Sequence, residues 1–275
     1  GCYPTIGEVR VGQMSMLKGA SAGLAASRGV EAAYLAQAGM TGPRAIFEGQ
    51  RGLSKQVFGA CEWGTLTAPF DEWRLPITCL KRYPAAYIIH AAIDATLALV
   101  QEHGIKPEMV EQAQVDAFGW LIEDMVNGMG GISRYEVDER ETADHSLPYC
   151  VAVSLVEGKY DIGQLRDKKW EAPAVKSMMG RVKCVHEKAM DARFPPDRPS
   201  RVTIHLKDGR TVMKELPYPK GDYRDPFSDE ELAQKFRELS GQVLKPQQQE
   251  KAITCALGFS KRTLPELIAA CVKQT

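Results

Sequence analysis

The chain has 275 residues, enough to bury a sizeable core as one large domain or two of ordinary size. Lysine plus arginine and aspartate plus glutamate both number 35, so bulk charge gives no reason to expect nucleic acid or an anionic membrane, although a local basic pocket for a small anion stays open. The seven cysteines are scattered and never spaced C-x-x-C, which argues against a disulfide framework, a zinc ribbon or a clustered iron–sulfur site and fits reduced thiols in cytoplasm.

The opening "GCYPTIGEVRVG" has neither an initiator methionine nor a signal-peptide layout, which fits an internal start and gives no basis for judging targeting. Residues 14–38 are alanine-rich with helical periodicity, and Gly39 supplies a stop before the turn "MTGP". Lys18, Arg28 and Glu31 interrupt this most apolar early segment, so it does not read as a bilayer span and the protein is expected to be soluble. Small residues at Gly19, Ala22, Gly23, Ala26 and Ser27 predict a face that another helix can approach closely. Lys18, a lone lysine on that face, must either snorkel or meet an anion.

Residues 45–77 read as a short helix embedded in glycine-rich loops. From Lys81 the texture changes. "YPAAYIIHAAIDATLALVQEHG" predicts a helix after a proline turn, closed by Gly104, and "MVEQAQVDAF" alternates as a strand. "RVTIHLKDGRTVMKELPY" predicts a hairpin turning at Asp208-Gly209. Between these strands, helices are expected from about Ser146 to Leu155 and from about Ala172 to Cys184. Ser228, with Glu231 three residues on, is a capping box that opens a final helical region reaching about Lys273. The whole is an α+β chain.

Chemistry concentrates in two stretches. In "ETADHSLPYCVAVSLVEG", Pro148 belongs in a first helical turn, which places His145, Ser146 and Tyr149 at a helix N-terminus whose backbone donors favour a carboxylate. Asp144 and Ser146 serve equally well as plain caps. In "CLKRYPAAYIIH", Lys81 and Arg82 are adjacent cations before the turn, either solvated or beside an anion, and His90 follows on an apolar helix face that suits a satisfied core histidine. No H-x-x-x-H or H-E-x-x-H spacing points to a metal.

Taken together, "LKGASAGLAASRGVEAAYLAQAGMTGP", "FEGQRG", "KRYPAAYIIHAAIDA", "ETADHSLPYCVAVSLVEG" and "PKGDYRDPFSDEELAQKF" resemble, in order and spacing, the MmgE/PrpD family, over almost the whole chain. That family includes 2-methylcitrate dehydratase, cis-aconitate decarboxylase and iminodisuccinate epimerase. The resemblance implies a helical domain built from both ends of the chain, residues 1–77 and 223–275, with an α/β lid domain, residues 78–222, inserted between them and the site in the cleft. It implies a cytoplasmic homodimer without metal or organic cofactor, acting on a small di- or tricarboxylate.

By the same resemblance, Lys18 matches an active-site lysine, Lys81 the lysine before the "YP" turn, and Tyr149 the tyrosine after the "DHS" motif that holds His145. Lys81, Tyr149 and His145 are the catalytic candidates, and Lys18, Arg82, Ser146 and His90 the substrate-binding ones. Many relatives carry a histidine where this chain has Ala86 or Ile88, so His90 substitutes only if its helix turns it inward. Relatives are also longer, and the resemblance places an N-terminal helical region with further site residues outside this chain. The chain then reads as the C-terminal part of such a protein, a truncation or one half completed by a separate polypeptide.

Removing a proton beside a carboxylate creates a dianionic aci-carboxylate, which calls for cations and a positioned base. Dehydration of a tricarboxylate such as 2-methylcitrate, with Tyr149 or His145 protonating the departing hydroxyl, is the leading expectation. Decarboxylation and epimerisation use the same residues and stay open, as does a non-catalytic chain that binds its missing half.

Overall fold

The computed structural model describes residues 11–12, 14–59, 61–66, 68–69 and 73–272. They form two compact units, one of residues 15–77 and one of residues 78–272 with 11, 12 and 14.

In the first unit, α1 (Met16–Gln37) follows the alanine-rich periodicity. Gly39 takes a φ of +93° and the Met40 N–H returns to the Leu35 carbonyl at 3.0 Å, closing the helix as its position predicts. None of the α1 side chains is buried, and a Cβ placed at Gly19 or Gly23 meets nothing within 4 Å. Beyond it come a π-helical turn, Ser54–Phe58, and short 3-10 turns at Trp63–Leu66 and Leu75–Ile77. The Trp63 indole donates to Ser54 Oγ at 2.6 Å and its ring lies 4.9 Å from that of Phe47.

In the second unit, a 3-10 turn at Tyr87–Ile89 leads into α2 (His90–His103), closed by Gly104 at φ +60°. Then follow β1 (Val110–Ala117), α3 (Gly119–Met125), α4 (Arg140–Ala143) and α5 (Leu147–Glu157). Next are α6 (Ile162–Arg166), α7 (Pro173–Met179), β2 (Val182–His186) and α8 (Lys188–Asp191). The strands β3 (Ser200–Leu206) and β4 (Thr211–Leu216) form the expected hairpin, with Gly209 at φ +89° in its turn.

The sheet order is β2-β1-β3-β4, with β2 parallel to β1 and the other pairs antiparallel. On β3, Ser200, Val202, Ile204 and Leu206 are buried and the residues between them are not, so one face is core and the other wet. α2 packs on β3 and β4, α5 packs on β2, and the two helices touch each other. Ile89, Ile93, Leu99, Leu147, Val151 and Leu155 belong to one core, each all but fully buried and each contributing roughly 2 kcal/mol of apolar burial. On the wet face Arg201 pairs with Asp116 (2.9 Å), Glu187 (3.1 Å) and Glu215 (3.6 Å).

One predicted element needs correction. The helix expected over Ala172–Cys184 ends at Met179, and Val182–His186 is a strand. The Ala113 N–H donates to the Arg181 carbonyl at 3.0 Å, and Ala113 pairs with Val182, so an open edge of β1 takes the β-branched valines from the helix.

After the sheet, Ser228 opens α9 (Asp229–Ser240) as predicted: its hydroxyl accepts the Glu231 N–H at 3.2 Å, and its N–H donates to the Glu231 carboxylate at 2.8 Å. Two further helices, α10 (Pro246–Leu257) and α11 (Leu264–Cys271), close a small cluster of Ala252, Cys255, Ala270, Phe236 and Leu267. The four-stranded mixed sheet and its helices make this an α+β fold. No described helix is long and apolar enough to cross a bilayer, and the described cysteines are free thiols.

Candidate functional site

The site is built on the turn that Pro84 forces ahead of α2. Tyr83 donates its hydroxyl to Asp94 at 2.6 Å, and the second oxygen of Asp94 accepts the Lys220 N–H at 2.9 Å. With the turn pinned, the Ala85 carbonyl accepts two bonds, from Lys81 Nζ at 2.8 Å and from His90 Nε2 at 3.3 Å.

A carbonyl only accepts, so Nε2 of His90 carries the ring proton and Nδ1 is left as an acceptor. That nitrogen is buried and has no partner among the described residues. Burial is the main force that brings the His90 pKa down to about 3; its bond to Ala85 opposes the fall, and the charges of Lys81 and Lys235 add to it. The histidine is neutral and inward-facing, in edge contact with Tyr83 at 5.3 Å.

Lys235 comes from α9 and donates its ammonium to the Lys81 carbonyl. Burial first and the neighbouring Lys81 second hold its pKa below the ordinary lysine value, partly offset by Glu238. Among the described residues neither Lys81 nor Lys235 has a carboxylate within ion-pair distance; each is spent on a backbone carbonyl. Arg82 is half exposed, 3.5 Å from Asp94.

A strap from residues 219–225 fixes the approach to this turn. Leu80 donates its N–H to the Gly221 carbonyl at 2.8 Å. The buried Asp222 accepts from Tyr87 at 3.2 Å and Cys79 at 3.6 Å, and Arg224 grips it at 2.7 Å. Burial pushes the Asp222 pKa up, but Arg224 outweighs it and holds the carboxyl below its ordinary value.

The second predicted stretch meets the first through the backbone: Ala86 donates its N–H to the Asp144 carbonyl at 2.9 Å. Asp144 also holds Nδ1 of the half-buried His145 with its carboxylate. Ser146 caps α5, accepting the Tyr149 N–H at 3.1 Å and donating to the Arg134 carbonyl at 2.5 Å. Tyr149 has no exposed surface, its hydroxyl lies 3.4 Å from the Gln164 carbonyl, and its ring stands edge-on to Tyr160 and Trp170.

The structure therefore brings Lys81, Arg82, His90 and His145 to two joined turns. Ser146 and Tyr149 follow on α5 with their hydroxyls directed at backbone carbonyls. Lys18 lies in the first unit, half-buried on α1, and is described there by itself. Lys235 is the residue that sequence reasoning missed. Flanked by Glu231 and Glu238 at helical spacing, it looks like part of a solvated face.

Beside Arg82 and Lys235 opens a cleft of about 370 Å³ between the end of α5, α6 and α9. Its other cations are matched on the wall, Lys159 to Asp161 at 3.2 Å, Lys169 to Glu157 at 3.1 Å and Arg166 to Asp167 at 2.9 Å. Among the described residues no three His, Cys, Asp or Glu side chains are placed to hold a metal. Among the described residues, the arrangement offers two ammonium groups, Lys81 and Lys235, with no carboxylate at ion-pair distance, on a turn tied through the backbone to the one that holds His145 against Asp144.

Two family models match the sequence: the MmgE/PrpD C-terminal domain over residues 83–259 and the MmgE/PrpD N-terminal domain over residues 4–65. The chain is 26% identical over 243 residues to a cis-aconitate decarboxylase of Mus musculus, an alignment covering 84% of this chain and 47% of that protein. It is 25% identical over 249 residues to a 2-methylcitrate dehydratase of Cupriavidus necator, covering 86% and 49%. A cis-aconitate decarboxylase of Aspergillus terreus is 22% identical over 278 residues, covering 95% and 56%. The chain spans about half the length of the relatives it matches.

Proposed function

The chain belongs to the MmgE/PrpD family, and on that premise we propose that it is a lyase acting on a small tricarboxylate. The observation that carries this reading is the pair of ammonium groups, Lys81 and Lys235, on one turn with no carboxylate within ion-pair distance of either among the described residues. Such a pair favours a bound anion, and most of all one whose charge grows during reaction.

In this reading Lys81 holds the carboxylate beside the reacting carbon and stabilises the aci-carboxylate formed when a general base takes the neighbouring proton. Breaking the carbon–oxygen bond then needs a proton on the departing hydroxyl. We assign that proton to His145, because Asp144 holds and orients its ring, whereas the Tyr149 hydroxyl is enclosed in the core. The net reaction removes water and leaves a carbon–carbon double bond, as with 2-methylcitrate.

Decarboxylation is the second reading, favoured by the similarity to proteins named cis-aconitate decarboxylase. It uses the same cations, with the proton going to carbon as carbon dioxide departs. Epimerisation would need acid/base groups on opposite faces of the carbon. Incubation with 2-methylcitrate, citrate, cis-aconitate and iminodisuccinate, followed by NMR, separates water loss, carbon dioxide loss and inversion. A chain that turns over none of the four contradicts the lyase reading and favours a subunit that completes its site with a partner.

A further inference from the structure

Lys235 is placed against the grain of its own helix. Glu231 lies four residues before it and Glu238 three residues after, the spacings at which a helical lysine finds a carboxylate. Both carboxylates are engaged elsewhere: Glu231 by Lys220 at 3.4 Å, and Glu238 by the side-chain amide of Gln234 at 2.9 Å. Lys235 instead reaches across to the Lys81 carbonyl, where burial and a like charge both weigh against its ammonium form. The same cluster leaves Nδ1 of the fully buried His90 without a partner among the described residues. Buried polar atoms and converging cations left in this state are the signature of a site that a ligand completes.

Where that ligand sits follows from the cavity. Arg82, 3.5 Å from Asp94, and Lys235 line the 370 Å³ cleft together with Glu238, and the cleft's remaining cations are matched on its wall. Lys81 does not line that cleft and keeps its ammonium on the Ala85 carbonyl at 2.8 Å. We propose that Lys235, with Arg82, binds a second carboxylate of the substrate, remote from the reacting carbon, while Lys81 binds the first. Lys235 is then the residue that selects polycarboxylates, and anion binding relieves the repulsion between the two ammonium groups. This inference rests on the lyase reading above.

Calorimetric titration with propane-1,2,3-tricarboxylate, an unreactive stand-in with three carboxylates, reads the clamp directly. Lys235→Arg keeps the charge and should bind within about threefold of the unaltered protein. Lys235→Met should bind at least tenfold more weakly with its melting temperature unchanged, and Lys235→Gln serves if the methionine variant misfolds. A neutral variant that binds within twofold of the unaltered protein, or an arginine variant as weak as the neutral one, overturns the clamp and leaves the lyase reading standing. No binding by the unaltered protein, together with no turnover of the four substrates, overturns the lyase reading and the clamp with it.

Discussion

Ala86 donates its backbone N–H to the carbonyl of Asp144 at 2.9 Å, across 58 positions of sequence, and so ties the lysine turn to the histidine turn. Because both groups are main-chain atoms, the tie is indifferent to the side chain at Ala86. It sets where Asp144 stands, and Asp144 in turn sets the His145 ring.

If His145 delivers the proton, its loss should be severe and that of the Tyr149 hydroxyl mild. His145→Ala should lower kcat by about 100-fold or more. Tyr149→Phe gives up only the long contact to Gln164, so kcat should stay within a few fold and stability should fall by about 1 kcal/mol or less. Steady-state kinetics and urea unfolding of both variants test this. The reverse pattern moves the acid role to Tyr149.

Asp222 is the anchor of the strap that holds residues 79–81. Arg224→Ala leaves that carboxylate buried without its main partner, at a cost of about 3 kcal/mol. The midpoint of urea unfolding measures it, and a shift under 1 kcal/mol would mean that Asp222 does not depend on the guanidinium.

Gly221 stands at φ +91°, and a Cβ there would come within 2.2 Å of the Leu80 carbonyl and 2.6 Å of the Phe227 ring. Gly221→Ala should cost about 3 kcal/mol and displace the Lys81 turn. Turnover should therefore drop more in this variant than in a surface variant of equal stability.

The buried His90 makes stability depend on pH with a known sign. Its pKa in the folded chain is about 3, and in the unfolded chain it returns to the ordinary imidazole value of 6.5. The unfolded chain therefore takes up the proton first as pH falls. The contribution is complete above about pH 6.5 and is lost toward pH 3, at roughly 1.4 kcal/mol per pH unit. His90→Leu should flatten the unfolding free energy between about pH 6.5 and 4.5 by that slope. An unchanged slope would contradict a neutral, enclosed His90.

Local rules made much of the fold legible. The Ser228–Glu231 box, the left-handed Gly104, the Asp208-Gly209 hairpin and the Pro148 start of α5 each depend on a few neighbouring residues and were readable as such. β2 was not, because "VKCVH" becomes a strand only when β1 offers it an edge from 69 residues away. The site divides in the same way. Lys81, Arg82, His90 and His145 lie in stretches whose proline turns announce themselves, whereas Lys235 meets the Lys81 carbonyl across 154 positions and shows only helical charge spacing beforehand. Enclosure is also a tertiary property: periodicity placed Tyr149 near a helix N-terminus but not between Tyr160 and Trp170.

The central claim is that Lys81 stabilises negative charge at a carbon next to a carboxylate. Proton NMR of 2-methylcitrate and cis-aconitate incubated with the protein in deuterium oxide tests it most directly, with Lys81→Ala as the comparison. The account predicts conversion of one of them, with vinylic signals appearing or deuterium entering the product beside a carboxylate, and a loss of at least 100-fold in the alanine variant. Equal rates in the protein and in Lys81→Ala would contradict it.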